Sequence, residues 1–142
     1  MVHALERARR LLRPDGTVVL IQPRQHKRLF VALTSKRRRE PVAALLNPVF
    51  QPLIDAANRA IKSVVADGRF EHIGMTHSQF RVRLVSPAEL DHYLHLGERP
   101  PRFPPGGRQR LRALWRARTA GTRIEVTEFL TVIALRVGNR EP

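Results

Sequence analysis

The stretch Ala4–Pro23, ALERARRLLRPDGTVVLIQP, determines the fold that the sequence predicts. Its first half carries apolar residues at the spacing of one helix face, which predicts an amphipathic helix. Pro14 ends that helix, and Asp15-Gly16 suits a tight turn. Residues 17–22 then form an apolar run without alternation, which predicts a strand covered on both faces and therefore a sheet with helices above and below.

Length and composition predict one domain over residues 1–142, with 42% hydrophobic residues. The chain has no cysteine, which excludes disulfides and thiolate metal sites. No apolar run approaches the roughly 20 residues of a membrane span, so no membrane association is expected. Charged residues interrupt the N-terminal segment, so no secretion signal is expected, and the sequence predicts a cytoplasmic protein.

The net charge is +14, from 26 Lys and Arg against 12 Asp and Glu. Such a charge attracts polyanions, and one hypothesis is a small basic nucleic-acid-binding protein. That hypothesis uses the basic segment 24–39 and the arginines near residues 108–119. The competing interpretation is compositional, because all but three of the basic residues are arginine.

The rest of the chain predicts further helices and strands around one basic loop, residues 24–40. A helix is expected from Pro41 or Pro48 to about Ala66, with Asn47 as a helix cap. Further on, the sequence predicts a strand within 70–84, a helix opened by the capping box 86–89, a flexible Pro/Gly/Arg loop at 98–107, a helix at 108–119, a strand at 122–137 and a frayed tail at 138–142.

Residues 4–16, followed by an apolar strand, resemble a segment of the class I S-adenosylmethionine-dependent methyltransferases. In that family a helix ending in Leu-Lys/Arg-Pro-Gly-Gly leads into the fifth strand, and here Asp15 replaces the first glycine. The later elements follow the family's order. The resemblance therefore implies an α/β, partial Rossmann-like fold. Its three-stranded mixed sheet would have the last strand, 122–137, inserted antiparallel between the fifth strand, 17–22, and the sixth, within 70–84.

The resemblance implies S-adenosyl-L-methionine as the cofactor, although the family binds it on its first two strands. A glycine-rich loop and an acidic strand end form that site. This chain has no Gly-x-Gly, and Gly106-Gly107 follows two prolines. No cofactor-binding or catalytic residue is assigned. The chain alone is expected neither to bind the cofactor nor to be catalytic. A truncated product, a degenerate remnant and one half of a two-chain site all stay open.

By the same resemblance, the end of the fifth strand faces the substrate. The candidates are Gln22, Arg24, Gln25 and His26, and a structural role is the competing interpretation for each. Strand 17–22 would also keep an open edge, which predicts either self-association through that edge or poor stability.

Two further groups invite a functional interpretation. His92 and His95 lie three residues apart beside Asp91, but a zinc site needs a third or fourth ligand, and no metal site is expected. Trp115 lies among arginines and could stack on a base. Its position on an apolar stripe favours the core instead.

Overall fold

The structure, a computed structural model, describes residues 1–138 as four helices and five strands. The helices are α1 (Val2–Leu11), α2 (Phe50–Ala66), α3 (Pro87–Leu94) and α4 (Gly107–Arg116). The strands are β1 (Thr17–Pro23), β2 (Phe30–Thr34), β3 (Arg39–Ala44), β4 (Phe70–Leu84) and β5 (Arg123–Val137). The predicted α/β class is confirmed. The predicted tail comprises residues 138–142, and all of it after Gly138 lies outside the described residues.

The predicted three-stranded mixed sheet is wrong, because the sheet has five strands and is antiparallel. Strand β5 pairs with β1, β2 and β4, and β3 pairs with β2. Thr17–Pro23 runs opposite Leu130–Arg136, and Phe30–Thr34 runs opposite Arg123–Thr127.

β2 and the first two residues of β3 come from the segment that the sequence predicted as a basic loop, residues 24–40. The rest of β3, residues 41–44, lies where the earlier of the two predicted helix starts would place a helix. β2 and β3 form a hairpin in which Ser35 N–H donates to Arg38 O at 2.8 Å. The basic run at 36–39 therefore lies mainly at the tip of this hairpin. Pro41 argued against a strand at this place, but β3 is the last strand in the order and has a register shift beside Pro41. An edge strand with an irregularity tolerates proline.

The chain divides into two compact units. The first comprises Met1–Gln25, Phe50–Ser78 and the residues from Leu130 onward, and the second comprises His26–Val49 and Gln79–Phe129. β4 and β5 contribute residues to both units. The predicted single domain stays a prediction.

The first unit has an apolar core between α1, α2 and its strands. Its largest fully buried side chains include Leu5, Val64, Phe70 and Leu135. Arg69 pairs with Glu6 and Asp67, each at 2.5 Å. The hydrogen bond to Asp67, followed by that to Glu6, raises the pKa of the Arg69 guanidinium.

The turn before β1 forms as the sequence predicts. Asp15 adopts a φ of 60°, and Gly16 N–H donates to Arg13 O at 2.9 Å. A Cβ atom at Gly16 would lie 2.8 Å from that same oxygen, so a larger residue would have to displace the backbone.

The prediction that β1 is covered on both faces is wrong. Val18 and Leu20 pack against the core of the first unit, whereas Val19 and Ile21 are 57% and 67% exposed. The two helices of this unit therefore cover one face of β1. Because an apolar run looks the same whether its second face is covered or bare, the sequence could not decide this point.

Helix α2 begins at Phe50, two residues after the later of the two predicted starts, Pro41 and Pro48, because residues 41–44 belong to β3. Pro52 occupies the third position of α2, where its missing N–H costs no helical hydrogen bond, so it moves the helix start rather than kinking the helix. Asn47 is not the cap, and its Nδ2 donates to Arg99 O at 3.3 Å. Gly68, with a φ of 73°, ends the helix as predicted.

The second unit packs α3 and α4 against its own strands. Val31, Leu90, Ile124 and Val126 are completely buried there, and Trp115 packs partly against this core. The predicted capping box is confirmed, because Glu89 N–H donates to Ser86 Oγ at 3.2 Å. Within residues 1–138, no helix combines the length and the apolar character needed to cross a membrane.

Candidate functional site

A polar site begins where β1 ends. Alternation along the strand places Gln22 on the same face as Val18 and Leu20, toward the helices of the first unit. Gln22 is half-buried, and its Nε2 donates to Asn58 Oδ1 on α2 at 2.6 Å. The end of β1 is thereby joined to the middle of α2 by an amide–amide hydrogen bond.

Helix α2 presents a polar stripe beside its apolar one. The stripe has spacings of four, three, one and three residues, which keep its members on one side of the helix. Ile54, Ile61 and Val64 of the same helix are buried. The polar stripe has the same helical period as the apolar one, so its spacing is visible in the sequence. The polar stripe consists of Gln51, Asp55, Asn58, Arg59 and Lys62.

Hydrogen bonds connect this stripe to the residues that follow β1. Gln25 Nε2 donates to Asp55 Oδ1 at 2.8 Å, and Gln51 Nε2 donates to the same oxygen at 3.0 Å. Asn58 Nδ2 donates to Gln25 Oε1 at 3.4 Å. We call Gln22, Gln25, Gln51, Asp55 and Asn58 the amide network. Its members fix one another's orientation and present both donors and acceptors.

One acceptor of the amide network is unsatisfied within the described residues. Gln22 Oε1 is buried and accepts no hydrogen bond there. A buried polar atom without a partner costs about 1–3 kcal/mol, so native proteins rarely leave one without a reason.

A cavity of about 440 Å³ adjoins the amide network, within the size range of small-molecule sites. The cations Arg59 and Lys62 give it a positive side, and the Asp55 carboxylate accepts hydrogen bonds there. This combination suits a small polar molecule that carries hydrogen-bonding groups and a negative charge. The lining includes Gln25, Asp55, Asn58, Arg59, Lys62 and His72.

The structure brings together two of the four residues that the sequence nominated. Gln22 and Gln25 both hydrogen-bond to Asn58 of the amide network. Arg24 lies between them in the chain and is half-buried. His26 is exposed, has a φ of 60° and is the first residue of the second unit.

The residues present do not fit S-adenosylmethionine. Within residues 1–138, Gly107 is the only glycine that begins a helix, and a Cβ there would lie 3.0 Å from the Phe103 ring. Close packing therefore explains Gly107, and no approach of a ligand to the backbone is needed. The Gly106-Gly107 pair also follows no strand, unlike the glycine-rich loop of the resembled family.

His95, just after α3, is engaged in another contact. His95 Nδ1 lies 2.7 Å from Asp91 O, and the Asp91 carboxylate accepts from Arg108 at 2.9 Å. Across residues 1–138, no group of three or more His, Cys, Asp or Glu side chains is close enough to hold a metal ion.

Comparison with known proteins gives no relative. No family model matches the chain, and neither a curated protein nor a solved structure is significantly similar to it. Fold alone does not identify an activity, so the geometry and chemistry of the sites have to carry the functional inference.

Proposed function

We propose that this chain is a methyltransferase-like protein that corresponds to the C-terminal, substrate-side half of a class I methyltransferase domain. The observation that carries the proposal is the pairing of β5 with both β1 and β4, antiparallel to β1. The same arrangement follows from the resemblance, in which the last strand lies between the fifth and the sixth. The β2–β3 hairpin has no counterpart in that order and is an addition of this chain.

The exposure of β1 supports the same proposal. In a complete α/β domain, helices cover both faces of such strands. Here Val19 and Ile21 are exposed, and β1 has one partner strand within the described residues. A bare face and an unpaired edge on one strand are what a sheet presents when its neighbouring strands and one helix layer are supplied from elsewhere.

The amide network gives this half a role in binding the methyl acceptor. In open α/β sheets, ligands bind outside the carboxyl ends of the strands, and the network lies at that end of β1. Gln25, Asn58 and Asp55 would orient an acceptor through hydrogen bonds. Arg59 and Lys62 would favour an acceptor that carries a negative charge.

A measurement of cofactor binding distinguishes the proposed half domain from an intact methyltransferase. Isothermal calorimetry of the chain with S-adenosylmethionine is expected to give no binding heat. Micromolar binding by the chain alone would contradict the assignment of the cofactor site to the other half.

The coding sequence in frame with the chain, or beside it, provides the positive test. We expect a segment that encodes a strand followed by Gly-x-Gly and a second strand with an acidic end. The protein made with that segment should bind S-adenosylmethionine with micromolar affinity. A Gln25→Ala variant of it should keep that affinity, because Gln25 serves the acceptor. If the combined protein does not bind the cofactor, the proposal fails.

A further inference from the structure

The arginines of the second unit are concentrated in one segment, residues 99–123. This segment of 25 residues contains eight arginines and neither Asp nor Glu, so it holds eight of the chain's 14 net positive charges. We call the arginines at 99, 102, 108, 110, 112, 116, 118 and 123 the arginine segment.

Helix α4 turns its arginines outward because its apolar side is used in the core. Leu111 is buried, and Leu114 and Trp115 pack partly against the same core. Arg112 and Arg116 are exposed, and no carboxylate within residues 1–138 lies in ion-pair distance of either. Their positive charges are therefore available to a ligand.

Other arginines of the segment are held in place. Arg108 donates to Asp91 at 2.9 Å, and its guanidinium lies 5.0 Å from the centre of the Phe103 ring. Arg110 Nε donates to Pro41 O at 2.9 Å. These contacts fix α4 and its flanking loop, so that binding would lose less side-chain freedom.

A cavity of about 670 Å³ adjoins the start of α4, and no carboxylate lines it. Arg102, Arg108 and Arg112 contribute charge to this cavity, beside the Phe103 ring and four prolines. Arg102 and Leu46 exchange two backbone hydrogen bonds of 2.7 Å, which attach this wall to the rest of the unit. The flexibility predicted for 98–107 stays a prediction.

A second cavity, of about 480 Å³, adjoins the end of α4. Trp115, Arg118 and Arg123 line it, and the Arg118 guanidinium lies 4.1 Å from the centre of the Trp115 ring. Because Arg118 already covers this ring, a base would stack on the guanidinium plane rather than directly on the indole. Bases in single strands stack on arginine planes as well as on aromatic rings.

We propose that the arginine segment is a binding site for single-stranded nucleic acid. Arginine binds phosphate in a bidentate manner and stacks on planar groups, which suits this ligand better than lysine does. Arg108, Arg112 and Arg116 follow one another every four residues, about 6 Å apart along the helix. One strand of phosphates can therefore run along α4, with bases entering the two cavities.

An anionic membrane is the main alternative ligand. A helix that lies in a membrane surface inserts exposed Trp, Phe or Leu side chains among the lipids. Between residues 97 and 138, no large hydrophobic side chain is classed as exposed, and those of α4 pack on the core. Two exposed apolar side chains lie near the cavities, Val85 at 51% and Leu96 at 68%, but neither belongs to α4. The helix itself therefore offers charge without an apolar anchor, which favours a polyanion in solution.

The test measures the fluorescence anisotropy of a labelled oligo(dT) strand as a function of salt. Neutralising Arg112 and Arg116 as Arg112→Gln/Arg116→Gln should weaken binding about tenfold or more at low salt. It should also reduce the slope of log K against log salt by about 1.4, because each lost phosphate contact in a single strand contributes about 0.7.

The matched control is Arg7→Gln/Arg10→Gln. It removes the same charge from two exposed arginines of α1 in the first unit and should change the affinity by less than about twofold. An equal loss in both double variants would mean that only net charge matters and would overturn the site. Absence of binding at low salt would also overturn it.

Two further arms use the same chain. A duplex of the same sequence, or phosphatidylserine vesicles, should compete poorly for the labelled strand, and equal competition by either contradicts the proposal. Ultraviolet cross-linking of the strand should label peptides from residues 99–123, and labelling confined to other peptides contradicts it. None of these measurements depends on methyl transfer, so their failure is distinct from failure of the proposed function.

Discussion

The two compact units differ in how the strand face opposite the core is covered. In the first unit, the face of β1 opposite its core leaves Val19 and Ile21 more than half exposed. In the second unit, the side of β5 opposite its core is polar, and Glu125 is only 2% exposed. Arg39 and Arg81 approach that carboxylate at 3.0 and 3.8 Å.

Long arginine side chains explain this difference. Their aliphatic parts cover a sheet while their charged ends stay near water, so one layer of strands needs no second layer of helices. The second unit has such side chains over Glu125, whereas Val19 and Ile21 in the first unit have no equivalent cover. This face of β5 is therefore covered by side chains of its own unit, whereas β1 of the first unit presents a surface that favours a partner.

The largest expected effect concerns that surface. In solution without another partner, the chain should self-associate through β1, because pairing satisfies the edge and removes Val19 and Ile21 from water. The double variant Val19→Lys/Ile21→Lys should weaken this association at least about tenfold, which corresponds to about 1.4 kcal/mol. Sedimentation velocity over a concentration series measures the change.

Leu11→Lys is the matched control for this prediction. Leu11 is 87% exposed at the end of α1, so the substitution adds a charge without touching β1. It should leave the association constant almost unchanged. A wild-type chain that sediments as a stable monomer at all concentrations would contradict the contrast between the two units.

The next effect concerns the covered side of the second unit. Glu125→Ala should lower the free energy of unfolding by about 1 kcal/mol, measured by urea denaturation. The substitution removes the carboxylate that balances the charges of Arg39 and Arg81. The arginine side chains are 44% and 50% exposed and can hydrate in part, which keeps the loss below that of a fully buried pair.

A second glutamate–arginine pair on strands provides the control. Glu71 lies 3.7 Å from Arg136, and the two side chains are 64% and 47% exposed. Glu71→Ala should cost less than about 0.5 kcal/mol, because water screens such a pair. If both substitutions cost the same, the arginines do not act as a cover and the interpretation of the second unit fails.

The sequence predicted the parts of the fold that local chemistry decides. Pro14, Asp15 and Gly16 fixed the turn before β1, and the capping box fixed the start of α3. The β2–β3 hairpin was missed because Pro41 and the basic run argue against strands, and only pairing with a neighbour overrides them. Three of the five residues of the amide network were missed, because the network joins positions far apart in the chain, such as Gln25 and Asp55, 30 residues apart.

The smallest expected effect concerns the titration of Tyr93 in the second unit, the only tyrosine of the chain. Burial raises the pKa of the Tyr93 phenol, and its hydrogen bond to the Glu128 carboxylate raises it further. Ultraviolet titration should therefore detect no ionisation near the ordinary pH of about 10. Glu128→Gln should move the titration back toward the ordinary value.

The same shift predicts how stability depends on pH. The folded chain favours the neutral phenol, so this contribution is fully present below the unfolded pKa of about 10 and is lost as pH rises through the higher folded value. The loss of unfolding free energy above pH 10 should be smaller in Glu128→Gln than in the wild type. If Tyr93 ionises near pH 10 in the folded protein, the hydrogen bond to Glu128 does not stabilise the neutral phenol. This polar pair of the second unit would then be open to water.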